Sequence, residues 1–164
     1  MPPAAPRAIS QRYAWRLMSS DGWSIAAFVL ALLGFIFTVV GAGLTLGLVT
    51  AFVGIPFLLL GLPLLVLGGG ALIWRYQTAQ KVVTVLREGQ AARGEIVDLQ
   101  ENYSVTVNGR HPWVIQYGFQ VNGEKYAGKV STLNQPGRGM QPGKAVYILY
   151  LPAAPRWSSI YPHP

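Results

Sequence analysis

The hydrophobic pattern of the chain is dominated by an uninterrupted apolar run from Trp23 to Trp74. These 52 residues include no Asp, Glu, Lys, Arg or His. A single helix of that length would extend about 78 Å, whereas the hydrocarbon core of a bilayer is about 30 Å thick. The run therefore predicts two membrane-spanning helices joined by a turn. We place the helices at Trp23 to Leu44 and Val53 to Trp74, and the turn at Thr45 to Ala51.

Two different patterns follow the apolar run. From Arg75 to Gly89, apolar and polar residues alternate at a helical spacing that ends at a glycine, which predicts that the second helix continues. We expect the apolar side of this extension to pack on the chain's own domain. From Arg93 onward, alternation with period two predicts β strands. The expected strands are Gly94 to Glu101, Tyr103 to Val107, Trp113 to Val121, Lys125 to Ser131 and Ala145 to Leu151.

Turn residues punctuate the predicted strands. Asn108-Gly109 and Asn122-Gly123 tolerate positive φ and predict tight hairpin turns. The stretch Leu133 to Lys144 is rich in proline and glycine, which predicts a loop. The fold class is thus an α+β membrane protein, in which a two-helix transmembrane hairpin is followed by a small antiparallel β domain, either an open sheet or a partly closed barrel.

These elements divide the chain into five segments. They are a basic N-terminal tail (1–22), the hairpin (23–74), a helical extension (75–89), the β domain (90–158) and a C-terminal tail (159–164). Residues 1–22 and 152–164 are rich in proline, alanine and aromatic residues, and a solitary protein would leave such ends mobile. Order in these ends would therefore indicate partners.

The charges around the hairpin predict its orientation. The chain has a net charge of +7, and the basic residues that flank the apolar run are Arg7, Arg12, Arg16, Arg75, Lys81 and Arg87, whereas the turn carries none. By the positive-inside rule, both termini are cytoplasmic and the protein lies in the inner membrane. Aromatic residues and one arginine fall where membrane-interface side chains are expected: Trp15, Trp23, Trp74, Arg75 and Tyr76.

The spread of basic residues also limits the partners. The excess positive charge is distributed along the chain, which suits anionic lipid headgroups or an acidic protein surface. A nucleic-acid groove usually needs a dense basic stripe with interleaved aromatic residues. We therefore expect a lipid bilayer and other integral membrane subunits as partners, and no nucleic acid.

Glycines recur seven residues apart within each predicted helix. Gly34 and Gly41 lie in the first helix, Gly54, Gly61 and Gly68 lie in the second, and Gly43 with Gly47 adds one small-xxx-small step. Glycine lets helices approach closely, so all seven are candidates for helix packing. Contact between the two helices of the hairpin is favoured over a dedicated face for a partner. Pro56 and Pro63 each remove a backbone donor and predict a kink in the second helix.

A secretory signal peptide is an alternative reading of the first span. Basic residues precede the apolar stretch, and Val40-Gly41-Ala42 is an acceptable cleavage site. The second span would still remain as an anchor after cleavage. We favour retention of both spans.

The composition excludes several kinds of chemistry. The chain has no cysteine, which excludes disulfides, thiolate metal sites and cysteine nucleophiles. Transporters and proton relays require ionisable side chains within the membrane, and the hairpin has none. It also has no histidine to ligate haem iron or a pigment metal. Gly137-Arg138-Gly139 lacks a following helix and is interpreted as a flexible loop rather than a phosphate cradle.

Three acidic residues and one histidine of the β domain are candidates for catalytic groups. Glu95, Asp98 and Glu101 flank apolar strand positions, as solvent-facing carboxylates do, and His111 precedes Pro112 in a turn. We interpret them as surface residues. We therefore assign no catalytic residue, no metal site and no cofactor, and expect that the protein is not an enzyme.

Short motifs in the β domain follow one another in a recognisable order. They are Arg93-Gly94-Glu95-Ile96-Val97, Tyr117-Gly118-Phe119, Asn122-Gly123-Glu124-Lys125-Tyr126, Pro142-Gly143-Lys144-Ala145-Val146 and the segment from Tyr150 to Ser158. In this order the chain resembles a family of uncharacterised bacterial membrane proteins with transmembrane helices beside a small β domain. That family closes on a Tyr-Asp-Pro-x-Asn-Pro segment, where this chain has Leu151 and Ala154 in place of Asp and Asn. The resemblance implies a fold and no activity.

Three functional hypotheses from different classes follow. The first is a non-catalytic accessory or scaffolding subunit of a larger bacterial membrane complex, such as a respiratory or photosynthetic one, with the β domain on its cytoplasmic face. The second is a membrane-tethered module that binds a peptide, a lipid headgroup or an envelope component. A hydrolytic membrane enzyme ranks third.

Overall fold

The computed structural model describes residues 2–10, 12–47, 49–137 and 139–164. Its helices are α1 (Tyr13–Ser19), α2 (Gly22–Thr45) and α3 (Ala51–Glu88), and its strands are β1 (Gln90–Glu101), β2 (Trp113–Val121), β3 (Glu124–Thr132), β4 (Ala145–Leu151) and β5 (Ala154–Tyr161). The chain forms two compact units, Asp21–Gln77 and the remainder on either side of it. An α+β fold is confirmed.

The first unit is a pair of long apolar helices. Both α2 and α3 contain a window long and apolar enough to cross a membrane, and only 17% of each window is buried. This exposure distinguishes them from the core helices of a soluble domain, which are mostly buried. The observed ends of α2 and the start of α3 lie within two residues of the prediction. Helix α3 also continues through the predicted extension and includes Pro56 and Pro63.

The second unit is built on a five-stranded antiparallel sheet with the order β3-β2-β1-β4-β5. Its two edge strands, β3 and β5, also contact each other, and the Tyr117 hydroxyl on β2 lies 3.2 Å from Ser158 Oγ on β5. A side chain at Gly128 on β3 would lie 2.5 Å from the Tyr117 ring, so glycine leaves room for the tyrosine. The sheet is nearly closed.

Alternate positions of four strands fill the interior of this sheet. The buried side chains are Ile96, Ile115, Tyr117, Phe119, Ile148 and Ile160. Large apolar side chains of this kind each stabilise a fold by about 1.5–3 kcal/mol when they leave water. The interior is therefore sufficient to hold a small domain together.

A second apolar cluster lies on the outer face of β4. Val85 and Leu86, at the end of α3, pack on Leu149, as expected for the helical extension. Ile148 and Leu149 are neighbours on β4, so they point to opposite faces, and both are fully buried. A strand covered on both faces explains why Ala145–Leu151 is almost entirely apolar.

The prediction of an N-terminal tail at 1–22 was wrong, because this segment packs on its own unit. Arg7 is only 8% exposed. Its backbone N–H donates to the Arg87 carbonyl at 2.8 Å, and its Nη1 donates to the carbonyls of Gly89 at 2.9 Å and Leu86 at 3.2 Å. Arg7 thus satisfies carbonyls that the end of α3 leaves without helical partners.

The C-terminal tail predicted at 159–164 was also wrong. Strand β5 runs to Tyr161, and Ser159 and Ile160 are fully buried. The β4–β5 turn falls between Leu151 and Ala154, which are paired. Order at both ends of the chain therefore comes from packing within the unit, which removes one argument for partners.

The strand predicted at Tyr103–Val107 does not form. Asn102 Oδ1 accepts a hydrogen bond from the Ser104 N–H at 3.0 Å, which turns the chain away at the end of β1. Val107 makes an isolated bridge to Arg110, around the Asn108-Gly109 turn. The positive φ values expected of both Asn-Gly pairs are confirmed, at 51° and 74° for the first pair and 52° and 85° for the second. Strand β1 instead begins at Gln90 and pairs with β2 and β4.

Candidate functional site

The two long helices meet along a line of glycines. A Cβ added to Gly34 would lie 2.2 Å from Leu65 N, one on Gly68 would lie 2.4 Å from Ala31 N, and one on Gly61 would lie 2.5 Å from Thr38 N. Such separations mean that backbone touches backbone. We call this contact the glycine seam, formed by Gly34, Gly41, Gly54, Gly61 and Gly68.

The other two glycines singled out in the sequence lie elsewhere. A Cβ on Gly43 would meet nothing within 4 Å, so this residue is outside the seam. A Cβ on Gly47 would meet the Thr50 side chain at 2.4 Å, in the turn between the helices. Leu48, in the same predicted turn, is outside the described residues. Within Val40-Gly41-Ala42, weighed as a cleavage site, Gly41 belongs to the seam inside α2.

The hydroxyl groups in the helices are used locally. Thr38 Oγ1 donates to the Gly34 carbonyl at 2.7 Å, and Thr45 Oγ1 donates to the Gly41 carbonyl at 2.6 Å. Both bonds run back one turn within α2, a common arrangement for threonine in membrane helices. The seam is therefore held by close backbone packing and apolar contact, such as the edge-on pair Phe37 and Phe57 with ring centroids 5.4 Å apart.

A polar cluster joins the start of α2 to α3 just after the apolar part of α3. Arg75 Nη2 lies 2.6 Å from Asp21 Oδ2, and the same oxygen accepts from the Ser24 hydroxyl at 2.7 Å and from the Ser24 N–H at 2.8 Å. Asp21 therefore caps α2 and pairs with α3 at once. Arg75 was predicted as an interface residue and Asp21 was not, although an Asp just before an apolar run is a helix-start signal.

The remaining membrane-interface candidates are accessible. Trp23 and Trp74 of the hairpin unit and Trp15 of α1 each expose more than half of their surface, and Tyr76 exposes about a third. The Arg75 guanidinium also lies 6.0 Å from the centre of the Trp74 ring. The position of these side chains at a membrane interface stays a prediction from the sequence.

The carboxylates weighed as catalytic groups make local contacts. Asp98 accepts from the Leu99 N–H at 2.8 Å, and Glu101 accepts from the Tyr103 hydroxyl at 2.9 Å. Glu95 is exposed. His111 Nδ1 lies 3.0 Å from the Val105 carbonyl oxygen. Among the described residues, no group of three or more His, Asp and Glu side chains could hold a metal ion.

The β-domain unit contains a polar cavity of about 510 Å³. It lies among α1, the loop at Arg110, the end of β3 and the C-terminal residues. Its lining is Tyr13, Arg16, Leu17, Ser19, Ser20, Arg110, Ser131, Thr132, Leu133, Asn134, His163 and Pro164. We refer to it as the α1 cavity. The sequence analysis did not anticipate it.

No protein-family model, curated protein or solved structure matches the chain. The glycine seam with its polar cluster and the α1 cavity are the two candidate functional features of the chain. Of the Gly137-Arg138-Gly139 segment, Arg138 lies outside the described residues.

Proposed function

We propose that the protein is a non-catalytic accessory subunit of a larger bacterial membrane complex. Its hairpin crosses the cytoplasmic membrane twice and packs on neighbouring helices, while the β domain covers the cytoplasmic face. The same proposal places both termini in the cytoplasm.

The observation that carries the proposal is the contrast between the two sides of α3. Gly54, Gly61 and Gly68 face α2 in the seam, while Phe52, Leu59 and Val66 are among the most exposed large apolar residues. Water would make that exposure costly, at about 25 cal/mol for each Å² of apolar surface. Lipid and neighbouring helices remove the cost. The apolar outer surface therefore favours an attachment device over a soluble module.

A labelling experiment tests the orientation. The chain has no cysteine, so Val49→Cys in the exposed turn and Ser104→Cys in an exposed loop of the β domain each introduce one thiol. A membrane-impermeant maleimide is expected to label Val49→Cys on intact spheroplasts, and to label Ser104→Cys only after permeabilisation. Labelling of both from outside, or of Ser104→Cys alone, would overturn the orientation.

Purification from the membrane tests the accessory role. The full chain in mild detergent should carry a stoichiometric set of other membrane subunits. The variant Leu59→Ala/Val66→Ala on the outer side of α3 should lose these subunits and keep its own fold. The control variant Leu32→Ala/Phe35→Ala, on the exposed side of α2, should keep them if the attachment uses the α3 face alone. A solitary, monodisperse protein would refute this role.

A membrane-tethered binding module is the second candidate function. The α1 cavity favours it, because a polar cavity of about 510 Å³ falls within the ordinary size range of ligand sites. The two functions are compatible, since an anchored subunit can also bind a small group at the membrane surface.

A further inference from the structure

The lining of the α1 cavity has a strong charge bias. Arg16 and Arg110 are its charged side chains, no aspartate or glutamate side chain lines it, and the α-carboxylate of Pro164 is its one anionic group. Both arginines are exposed, and among the described residues neither guanidinium makes an ion pair. A cavity with two unneutralised guanidinium groups attracts an anion, and arginine is well suited to phosphate because its planar fork can donate two parallel hydrogen bonds.

Neutral polar groups surround the two arginines. The hydroxyls of Ser19 and Ser20 donate to the Arg16 carbonyl at 3.0 and 3.1 Å, so their oxygens keep lone pairs that can accept from a ligand. Ser131 and Asn134 add further hydrogen-bonding groups on the opposite chain segment. These residues suit the hydroxyls and ester oxygens that surround a phosphate in a lipid headgroup.

His163 forms a neutral part of the wall. Its ring packs edge-on against Tyr13, with centroids 5.9 Å apart, and its buried Nδ1 has no hydrogen-bond partner among the described residues. Burial lowers the pKa of His163, an effect that a backbone hydrogen bond to Pro164 opposes in part. The positive charge of the cavity therefore comes from Arg16 and Arg110.

The chain places this cavity close to the start of the hairpin in sequence. Ser20, in its wall, directly precedes Asp21, which caps α2. If α2 enters the membrane at Gly22, lipid phosphates are the anions available within a few residues of the cavity, and basic residues there gain from the anionic leaflet. This step depends on the membrane anchoring proposed above.

We propose that the α1 cavity binds the phosphate group of an anionic phospholipid, with Arg16 and Arg110 as the phosphate contacts. Ser19, Ser20 and Asn134 bind the polar atoms around it. Free inorganic phosphate shares this chemistry, and the test below separates the two sources. The cavity thereby gives the β domain its own attachment to the membrane surface.

Native mass spectrometry of the full chain in detergent tests this assignment with phosphatidylglycerol, phosphatidylcholine and inorganic phosphate as probes. The wild type should retain phosphatidylglycerol in preference to phosphatidylcholine. Each arginine should raise the affinity for the anionic lipid roughly fivefold. The double variant Arg16→Gln/Arg110→Gln should therefore bind phosphatidylglycerol roughly 25-fold more weakly. Lys129→Gln is the control, because Lys129 is an exposed cation on β3 that does not line the cavity. It should retain the lipid like the wild type.

Three results are decisive. Undiminished phosphatidylglycerol retention in the double variant, with folding verified by circular dichroism, overturns the assignment. Equal losses in the double variant and in Lys129→Gln would show a general surface effect and also overturn it. Arginine-dependent binding of inorganic phosphate without any lipid preference supports the phosphate site and identifies free phosphate as its source. The labelling experiment tests the anchoring separately, so failure of one proposal does not hide failure of the other.

Discussion

Two adjacent glycines of α3 provide a matched test of the glycine seam. A Cβ at Gly68 would lie 2.4 Å from Ala31 N and 2.7 Å from Ala31 Cα, whereas one at Gly69 would meet nothing within 4 Å. Both positions are interior to the same helix, so Gly68→Ala and Gly69→Ala share any gain in helix propensity, up to about 1 kcal/mol. The difference between the two variants therefore isolates the clash in the seam.

The size of the clash can be worked from the geometry. Ordinary contacts begin at 3.4 Å, and the Gly68 contact would be 2.4 Å, so the helices must part locally by about 1.0 Å. The atoms in the way belong to the backbone of α2 and cannot rotate aside. Overpacking of this kind usually costs about 1–3 kcal/mol, and we expect Gly68→Ala to be less stable than Gly69→Ala by that amount.

The separation of the two helices can be measured directly. Cysteines replacing Ile25 and Ile73, both exposed in the hairpin unit, can carry a donor and an acceptor dye, because the chain has no cysteine of its own. Energy transfer during SDS titration in mixed micelles then reports opening of the hairpin. Gly68→Ala should open at lower SDS than Gly69→Ala. Midpoints that correspond to a difference below about 0.5 kcal/mol would refute close backbone packing at this position.

Three further predictions concern the β domain. Arg7→Met removes buried hydrogen bonds to the end of α3 and should lower the free energy of unfolding by about 1.5–3 kcal/mol in thermal denaturation, whereas the exposed control Arg12→Met should change little. Gly123→Ala forces alanine into φ +85° and should cost about 1–2 kcal/mol; an equal loss in Gly137→Ala, which has neither positive φ nor a close neighbour, would contradict the strain. Because the folded state lowers the pKa of His163 below the ordinary 6.5, its unfolded state binds more protons, so stability is full above pH 6.5 and falls as the pH drops through 6.5 toward the folded pKa. Thermal melts of His163→Gln should lack that part of the acid sensitivity.

The sequence predicted the hairpin well because its signal is physical and local. A run of 52 residues without an ionisable side chain meets the requirement of a bilayer and of few other environments. The glycine spacing was equally informative, since positions seven apart return to the same side of a helix. Gly43 lies two residues from Gly41, which is a rotation of about 200° around a helix, so the same geometry places it on the opposite side from the seam.

The ends of the β domain were harder to predict. Pro152 and Pro155 resemble strand breakers, yet Pro152 lies in the turn of the β4–β5 hairpin and Pro155 lies at the start of β5. Strand β5 forms because it covers the interior beside Ile148. Arg7 was counted as a flanking charge, since a sequence shows the sign of a side chain but not its burial. The missed strand β5 depends on partners in another strand, and the burial of Arg7 depends on partners more than 75 residues away in the chain.

The α1 cavity illustrates what a sequence pattern cannot supply. Its walls come from four separate segments, around Arg16, Arg110, Asn134 and His163. None of these segments carries a motif, and tertiary packing alone brings them together. The sequence therefore predicts the two apolar helices but not this cavity.

The position of β5 in the sheet determines when the domain can assemble during synthesis. The interior needs Ile160 from β5, and the outer cluster needs Ile9 from the beginning of the chain and Leu149 from near its end. The ribosome therefore makes both apolar helices well before the last strand. The N-terminal residues can pack in the outer cluster only after the end of the chain has been synthesised. Contacts between such distant residues form slowly, so both apolar helices are complete while the β strands are still unpaired.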